Sequence, residues 1–341
     1  MTVTDRRVAL VTGSSRGLGA AIARRLARDG FAVAVNGRPG DELVAAVGRS
    51  IGEDGGVAEG FFADVTDEDQ VAGLVTAITS RLGPVDVLVL NATGPQPEAP
   101  LTEVPWAGYL AQLDFFVKSP VLLGRAVLPG MQARRYGRIV HIDSEVAHRP
   151  PPGRSAYATA KSAQIGLTLS WARELAPSGI TVNTVAPGFI PVERHAGVPG
   201  RVKKAYLASV PAGRMGTPGD IAHAVSFLVS EGAGFITGQR IVVDGGRSLG
   251  NLTWPIRHGD LRAPEQSALD RPKRSGQEAE VASDGYGSPA GSSVSAGGGR
   301  ALRQPPRPVL RQAGAARLAA PAVVRGVAGD LRFLAGSLRP I

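Results

Sequence analysis

RVALVTGSSRGLG, residues 7–19, sets a short apolar strand, a loop holding Gly13, Gly17 and Gly19, and the start of an Ala- and Arg-rich helix in direct succession. That order of strand, glycine loop and helix is the opening unit of a doubly wound parallel α/β sheet. The glycines permit a tight turn and let the backbone approach a pyrophosphate, while the helix N-terminus offers unpaired amides and positive potential. An ordinary glycine-rich turn looks similar in isolation. Its place on the first strand-to-helix unit favours the phosphate reading.

Working outward, FAVAVNG gives a second strand ending at Arg38, and VAEGFF a third before Asp64 and Val65. A site for a dinucleotide commonly places an acid after the second strand, where it holds the ribose hydroxyls. Arg38 stands there instead, and Arg16 lies inside the glycine loop. Forked guanidinium donors suit a 2′-phosphate, so NADP(H) is expected in preference to NAD(H). In a chain with 33 Arg, either one alone also reads as a solvated surface residue. Asp67 reads as the cap of the next helix, which leaves Asp64 the alternative of a simple turn acid. Strand four, VDVLVL, runs into Asn91, Ala92, Thr93 and Gly94, and a helical region is expected from about Val104 to Arg135.

The chemistry is concentrated in SEVAHRPPPGRSAYATAK, Ser144 to Lys161. RIVHIDS before it reads as a strand ending at Ser144, and the segment from about Ser155 reads as a helix. Tyr157 and Lys161 then share a helix face. An ammonium beside the phenol is expected to lower the tyrosine pKa from about 10 and make it a usable general acid or base. With five Tyr and five Lys in 341 residues, a Lys four places after a Tyr arises by chance about 0.07 times. Coincidence alone is a poor account of the pair.

Ser144, Tyr157 and Lys161 at this spacing, together with the TGxxxGxG loop at Thr12–Gly19, resemble the short-chain dehydrogenase/reductase family, in particular its 3-oxoacyl reductase branch. The resemblance runs from about residue 7 to residue 247. It implies a Rossmann fold in which Ser144 binds the substrate oxygen, Tyr157 transfers its proton, and Lys161 tunes the tyrosine and holds the nicotinamide ribose. The implied cofactor residues in the glycine loop are Gly13, Ser15, Arg16, Gly17, Leu18 and Gly19. Arg38, the adenine-side pair Asp64 and Val65, and the turn residues Asn91, Ala92 and Gly94 follow. Pro187, Gly188 and Ile190 would face the nicotinamide, joined by Tyr157 and Lys161 themselves. The substrate implied is a small carbonyl compound or secondary alcohol, such as a 3-oxoacyl thioester or another ketone. A homodimer or homotetramer is implied as well.

Two positions depart from the family pattern. Phe116 stands where a catalytic Asn that holds a relay water is usual, and Val192 where a Thr binding the carboxamide is usual. The first departure motivates an alternative, a non-catalytic NADP(H)-binding sensor or scaffold. Residues 189–213 read as a mobile lid containing the helical piece RVKKAYLASV, or as an ordinary long surface loop. Gly219 and Asp220 open a further helix, and FITGQRIVVDGG carries the last parallel strand.

Composition bounds the rest. The chain has no Cys, which excludes disulfides, thiolate metal sites and a cysteine nucleophile, and its five His show no paired ligand spacing. The histidines read as structural or surface groups. No apolar run is long enough for a signal peptide or a membrane span, so a soluble cytoplasmic protein is expected. The net charge of +9 is unevenly spread: residues 251–341 hold 13 Lys or Arg against 7 Asp or Glu, the remainder 25 against 22. A nearly balanced body argues against nucleic acid as a partner, leaving only a basic-arm reading for the tail. The expected organisation is a single domain over 1–250 and a low-complexity Arg/Pro/Ala/Gly-rich tail over 251–341. That tail is expected to be disordered, with a weak helix near 315–338.

Overall fold

Alternation of apolar strands with amphipathic helices builds a seven-stranded parallel sheet in the order β3-β2-β1-β4-β5-β6-β7. The computed structural model describes residues 6–250. The disorder and weak helix expected for 251–341 lie outside the described residues. From β1 (Val8–Val11) the chain winds through α1 (Gly17–Arg28), β2 (Ala32–Gly37), α2 (Leu43–Glu53) and β3 (Val57–Phe62). It then crosses back through α3 (Glu68–Arg81) to β4 (Val85–Leu90), which pairs with β1 on its other side. This reversal opens a crevice at the carboxyl ends of β1 and β4, where doubly wound sheets bind their ligands.

The second half repeats the device with α4 (Trp106–Leu113), α5 (Ser119–Arg134), β5 (Gly137–Ile142), α6 (Ser155–Leu175) and β6 (Ile180–Pro187). It ends with α7 (Gly200–Ala208), α8 (Pro218–Val229) and the short edge strand β7 (Arg240–Val243). Strands β1, β4, β5 and β6 are buried along their whole length, because helices cover both faces. Alternation along β1 divides the core. Val8 and Leu10 pack with Leu74 and Ile78 of α3 and Leu123 and Met131 of α5, while Ala9 and Val11 pack with Ile22 of α1, Ile51 of α2 and Ile221 of α8.

The helix expected over 104–135 is interrupted. One wide π turn spans Asp114–Lys118, where the Ser119 amide reaches back to the Asp114 carbonyl. Pro120 follows with no amide to donate, so the regular ladder cannot resume until beyond it. The turn brings Phe115 and Phe116 to the site. The helix expected to open at Gly219 and Asp220 begins at Pro218. Its cap is reciprocal: the Thr217 hydroxyl accepts the Asp220 amide at 3.2 Å and the Asp220 carboxylate accepts the Thr217 amide at 2.7 Å.

Candidate active site

The glycine loop is braced to the end of β4 by side chains. The Thr12 hydroxyl donates to the Val89 carbonyl at 3.2 Å and accepts the amides of Asn91 and Ala92, each at 3.0 Å. Asn91 Nδ2 donates in return to the carbonyls of Thr12 and Gly13 at 2.9 and 3.0 Å. Gly13 takes φ of 59°, and a Cβ there would lie 2.9 Å from the Ala92 backbone. A Cβ on Gly19 would collide with the Gly13 carbonyl oxygen. The loop is therefore a cradle that only glycine completes, opening onto the N-terminus of α1. That donor set of loop backbone and helix amides fits a dinucleotide pyrophosphate.

All the residues singled out in the sequence for cofactor or chemistry line one cavity of about 560 Å³. At its sugar end Arg16 pairs with Asp41 at 3.3 Å, and Arg38 lies 3.7 Å from Asp64 and over the Phe115 ring. Burial opposes the Asp64 carboxylate, but hydrogen bonds from Thr66 and the charges of Arg38 and Lys118 hold its pKa below the usual value. Burial opposes the Asp41 carboxylate too, but nearby Ser15, a hydrogen bond from the Leu43 amide and the Arg16 guanidinium lower its pKa.

At the other end, β5 delivers Ser144 and α6 delivers Tyr157 and Lys161. The Ser144 hydroxyl accepts the Val146 amide at 3.2 Å and faces the Tyr157 phenol. The expectation that Lys161 lowers the tyrosine pKa is overturned. Burial pushes Tyr157 above its ordinary value; Ser144 and Arg194 pull downward without reversing this, and Asp143 adds to it. Helical spacing does put both side chains on one face, but the lysine's hydrogen bonds go elsewhere. Its Nζ donates to the Ile142 carbonyl at 2.7 Å and to Gln164 Oε1 at 2.9 Å, and stands 5.9 Å from the Tyr157 ring centroid. Burial, aided by Arg194 and opposed by Asp143, pushes Lys161 down to about 7.

Phe116 is 2% exposed, with its ring centroid 3.8 Å from Lys161 Nζ and its ring edge-on to Tyr157 at 5.5 Å. Val192 lines the cavity with an apolar side chain. Of the segment 189–213, only residues between Phe189 and Val198 line the cavity, and Tyr206 of α7 ties its start to the site. Its hydroxyl accepts the Phe189 amide at 2.6 Å and donates to Glu145 at 3.0 Å, the residue after Ser144. His141 is a buried structural group, its Nδ1 2.8 Å from the Thr168 hydroxyl and its pKa driven down by burial to about 3. His195, expected only as a structural or surface group, lines the cavity. Among the described residues, no group of metal-ligating side chains is gathered.

Asp41, Phe115, Arg154 and Arg194 also line the cavity and were not singled out in the sequence. They arrive on turns whose course no local spacing reveals. Gln164 was legible in principle, one helical turn after Lys161 on α6.

A family model described as enoyl-(acyl carrier protein) reductase matches residues 13–248. The 3-oxoacyl-[acyl-carrier-protein] reductase of Vibrio cholerae is 40% identical over 244 residues, covering 71% of this chain and 97% of that protein. A cis-4-hydroxycyclohexanecarboxylate dehydrogenase of Sinomonas cyclohexanicum is 39% identical over 242 residues, covering 70% and 96%. Among solved structures, a gluconate 5-dehydrogenase of Burkholderia cenocepacia in complex with NADP and tartrate superposes with a TM-score of 0.68 at 32% identity, covering 72% of this chain and 96% of that one.

Proposed function

The chain belongs to the short-chain dehydrogenase/reductase family of oxidoreductases, and from that premise we propose that it interconverts a small carbonyl compound and its secondary alcohol with NADP(H). The observation that carries this reading is one cavity joining a glycine cradle at one end to Ser144, Tyr157 and Lys161 at the other. When bound, the nicotinamide cofactor supplies or accepts the hydride. Gly13, Ser15, Arg16, Gly17, Leu18 and Gly19 would hold its pyrophosphate, Arg38 and Arg16 its 2′-phosphate, and Asp64 and Val65 its adenine. Asn91, Ala92, Gly94, Pro187, Gly188 and Ile190 would line its nicotinamide half. Ser144 donates a hydrogen bond to the substrate oxygen, Tyr157 delivers or removes the proton there, and Lys161 holds the nicotinamide ribose.

A 3-oxoacyl thioester or another small ketone is the proposed substrate class; relatives named for acyl-carrier-protein and for hydroxy-acid substrates support that range. Cytoplasmic location and a homodimer or homotetramer complete the proposal. The domain is taken as residues 1–250 and the low-complexity tail as 251–341. Phe116 over Lys161 is the observation that favours the second reading, a cofactor-binding protein without turnover. Oxidation of NADPH and NADH against a panel of ketones and 3-oxoacyl thioesters separates the two: turnover supports the reductase, and silence with tight NADPH binding supports the alternative.

Cofactor choice has its own test. Each guanidinium at the sugar end already faces a carboxylate, so a 2′-phosphate must compete with Asp41 and Asp64. A charge-assisted hydrogen bond contributes about 1.5–3 kcal/mol. Arg38→Ala is therefore expected to weaken NADPH binding by roughly 10–100-fold and to change NADH binding little, as read by titration of each cofactor. An unchanged ratio would assign the sugar end to the two acids and to NAD(H).

A further inference from the structure

We propose that Gln164 is a positioning residue of the active site, its amide oxygen and the Phe116 ring together fixing the Lys161 ammonium in the place solvent would otherwise take. The proposal rests on the reading of Lys161 as the group that holds the cofactor ribose. An ammonium has three N–H donors. Two of them here meet carbonyl oxygens, Ile142 O at 2.7 Å and Gln164 Oε1 at 2.9 Å, and the face of Phe116 lies 3.8 Å from the nitrogen. Lys161, Gln164 and Phe116 are each no more than 3% exposed, so water does not compete for these contacts. A ring face attracts a cation most strongly when the cation is desolvated.

Gln164 is itself pinned. Its backbone carbonyl accepts the Thr168 hydroxyl at 3.0 Å, and that hydroxyl meets His141 Nδ1 and the Thr184 hydroxyl, each at 2.8 Å. This turn of α6 is thus locked to β5 and β6, which fixes the backbone from which the Gln164 side chain reaches Lys161. Both the amide oxygen and the ring stabilise the charged form of the lysine against its burial. The other charged or titratable groups around it are Tyr157 on α6, His141 and Asp143 from β5, Arg240 of β7 paired with Asp143, and Arg194 from the turn after β6. Asp143 favours the ammonium and Arg194 disfavours it.

The test is NADPH affinity, read by energy transfer from protein to cofactor, as pH rises from about 6.5 to 10. A phosphate's second ionisation, near pH 6, lies below that window. Loss of the ammonium as Lys161 titrates from about 7 is expected to raise the dissociation constant of the wild-type protein. Gln164→Glu keeps the shape and sets an opposite charge on the ammonium, which moves the onset up by about 1 unit or more. Gln164→Leu removes the acceptor and moves it down. A thermal melt of each variant accompanies the titration, because a merely structural glutamine would lower the melting temperature and leave the onset in place. An unmoved onset in Gln164→Glu overturns the proposal, as does a wild-type affinity independent of pH. Binding needs no turnover, so a protein inactive on every carbonyl would sink the reductase reading while this titration still decided the role of Gln164.

Discussion

Tyr157→Phe is expected to reduce kcat/KM for carbonyl reduction by about 10²–10⁴-fold, the usual contribution of a positioned general acid, and to leave NADPH binding as it was. The substitution removes one hydroxyl from a side chain that is 9% exposed and preserves the ring that packs edge-on against Phe116. On the proposed reading most cofactor contacts would come from the glycine cradle and Lys161, which keep their places, and the phenyl ring still lines the cavity. Steady-state rates with NADPH and a responsive ketone, beside a cofactor titration, separate the two effects. Retained turnover would remove Tyr157 from the chemistry.

The direction of the tyrosine shift gives the same residue a pH signature. Burial raises Tyr157 above the ordinary phenol value, so its proton is present throughout the neutral range. Reduction, which needs that proton, should show no loss from Tyr157 as pH rises until beyond about 10. Alcohol oxidation needs the phenolate as base, and its rate should climb with pH over the same range. A phenol lowered by the adjacent ammonium would instead give oxidation a plateau near neutrality, so the two profiles decide between the structure and the simple helix-spacing argument.

That contrast marks how far the sequence reaches. The short apolar runs between turns and the glycine spacing at residues 12–19 carry the sheet and its crevice, because both are local patterns that need no tertiary contact to read. Ser144, Tyr157 and Lys161 were legible for the same reason, two on one helix and one at a strand end. Where Lys161 points was not legible. Its stem is long enough to reach the Ile142 carbonyl and Gln164, and choosing among those partners needs the strand and the Phe116 ring in place. The π turn at Asp114–Lys118 escaped similarly, since only the packed helix shows that the ladder slips before Pro120. Asp41 and Arg194 sit on turns, and turns have no period from which to read a facing direction.

Gly19→Ala sets two known effects against each other. Gly19 lies within α1 and does not have a positive φ, so on helix propensity alone alanine should stabilise by about 0.5–1 kcal/mol. Space decides otherwise. The added methyl would lie 2.6 Å from Asn91 Nδ2 and 2.7 Å from the Ser14 Cα, and would overlap the Gly13 carbonyl oxygen. Gly13 cannot retreat, being packed against Ala92, and Asn91 cannot move without releasing its hydrogen bonds to Thr12 and Gly13. Overpacking of this kind costs about 1–3 kcal/mol, which exceeds the propensity gain and lowers the melting temperature by several degrees. The strain falls on the loop proposed to receive the pyrophosphate, so NADPH affinity should drop at least about tenfold, the equivalent of 1.4 kcal/mol. Gly73→Ala is the matched control: it lies within α3 with nothing close to its side, and there the propensity gain should appear unopposed. If Gly19→Ala melted and bound NADPH like the wild type, the loop would not be the cofactor's cradle, and the cavity's glycine end would need another occupant.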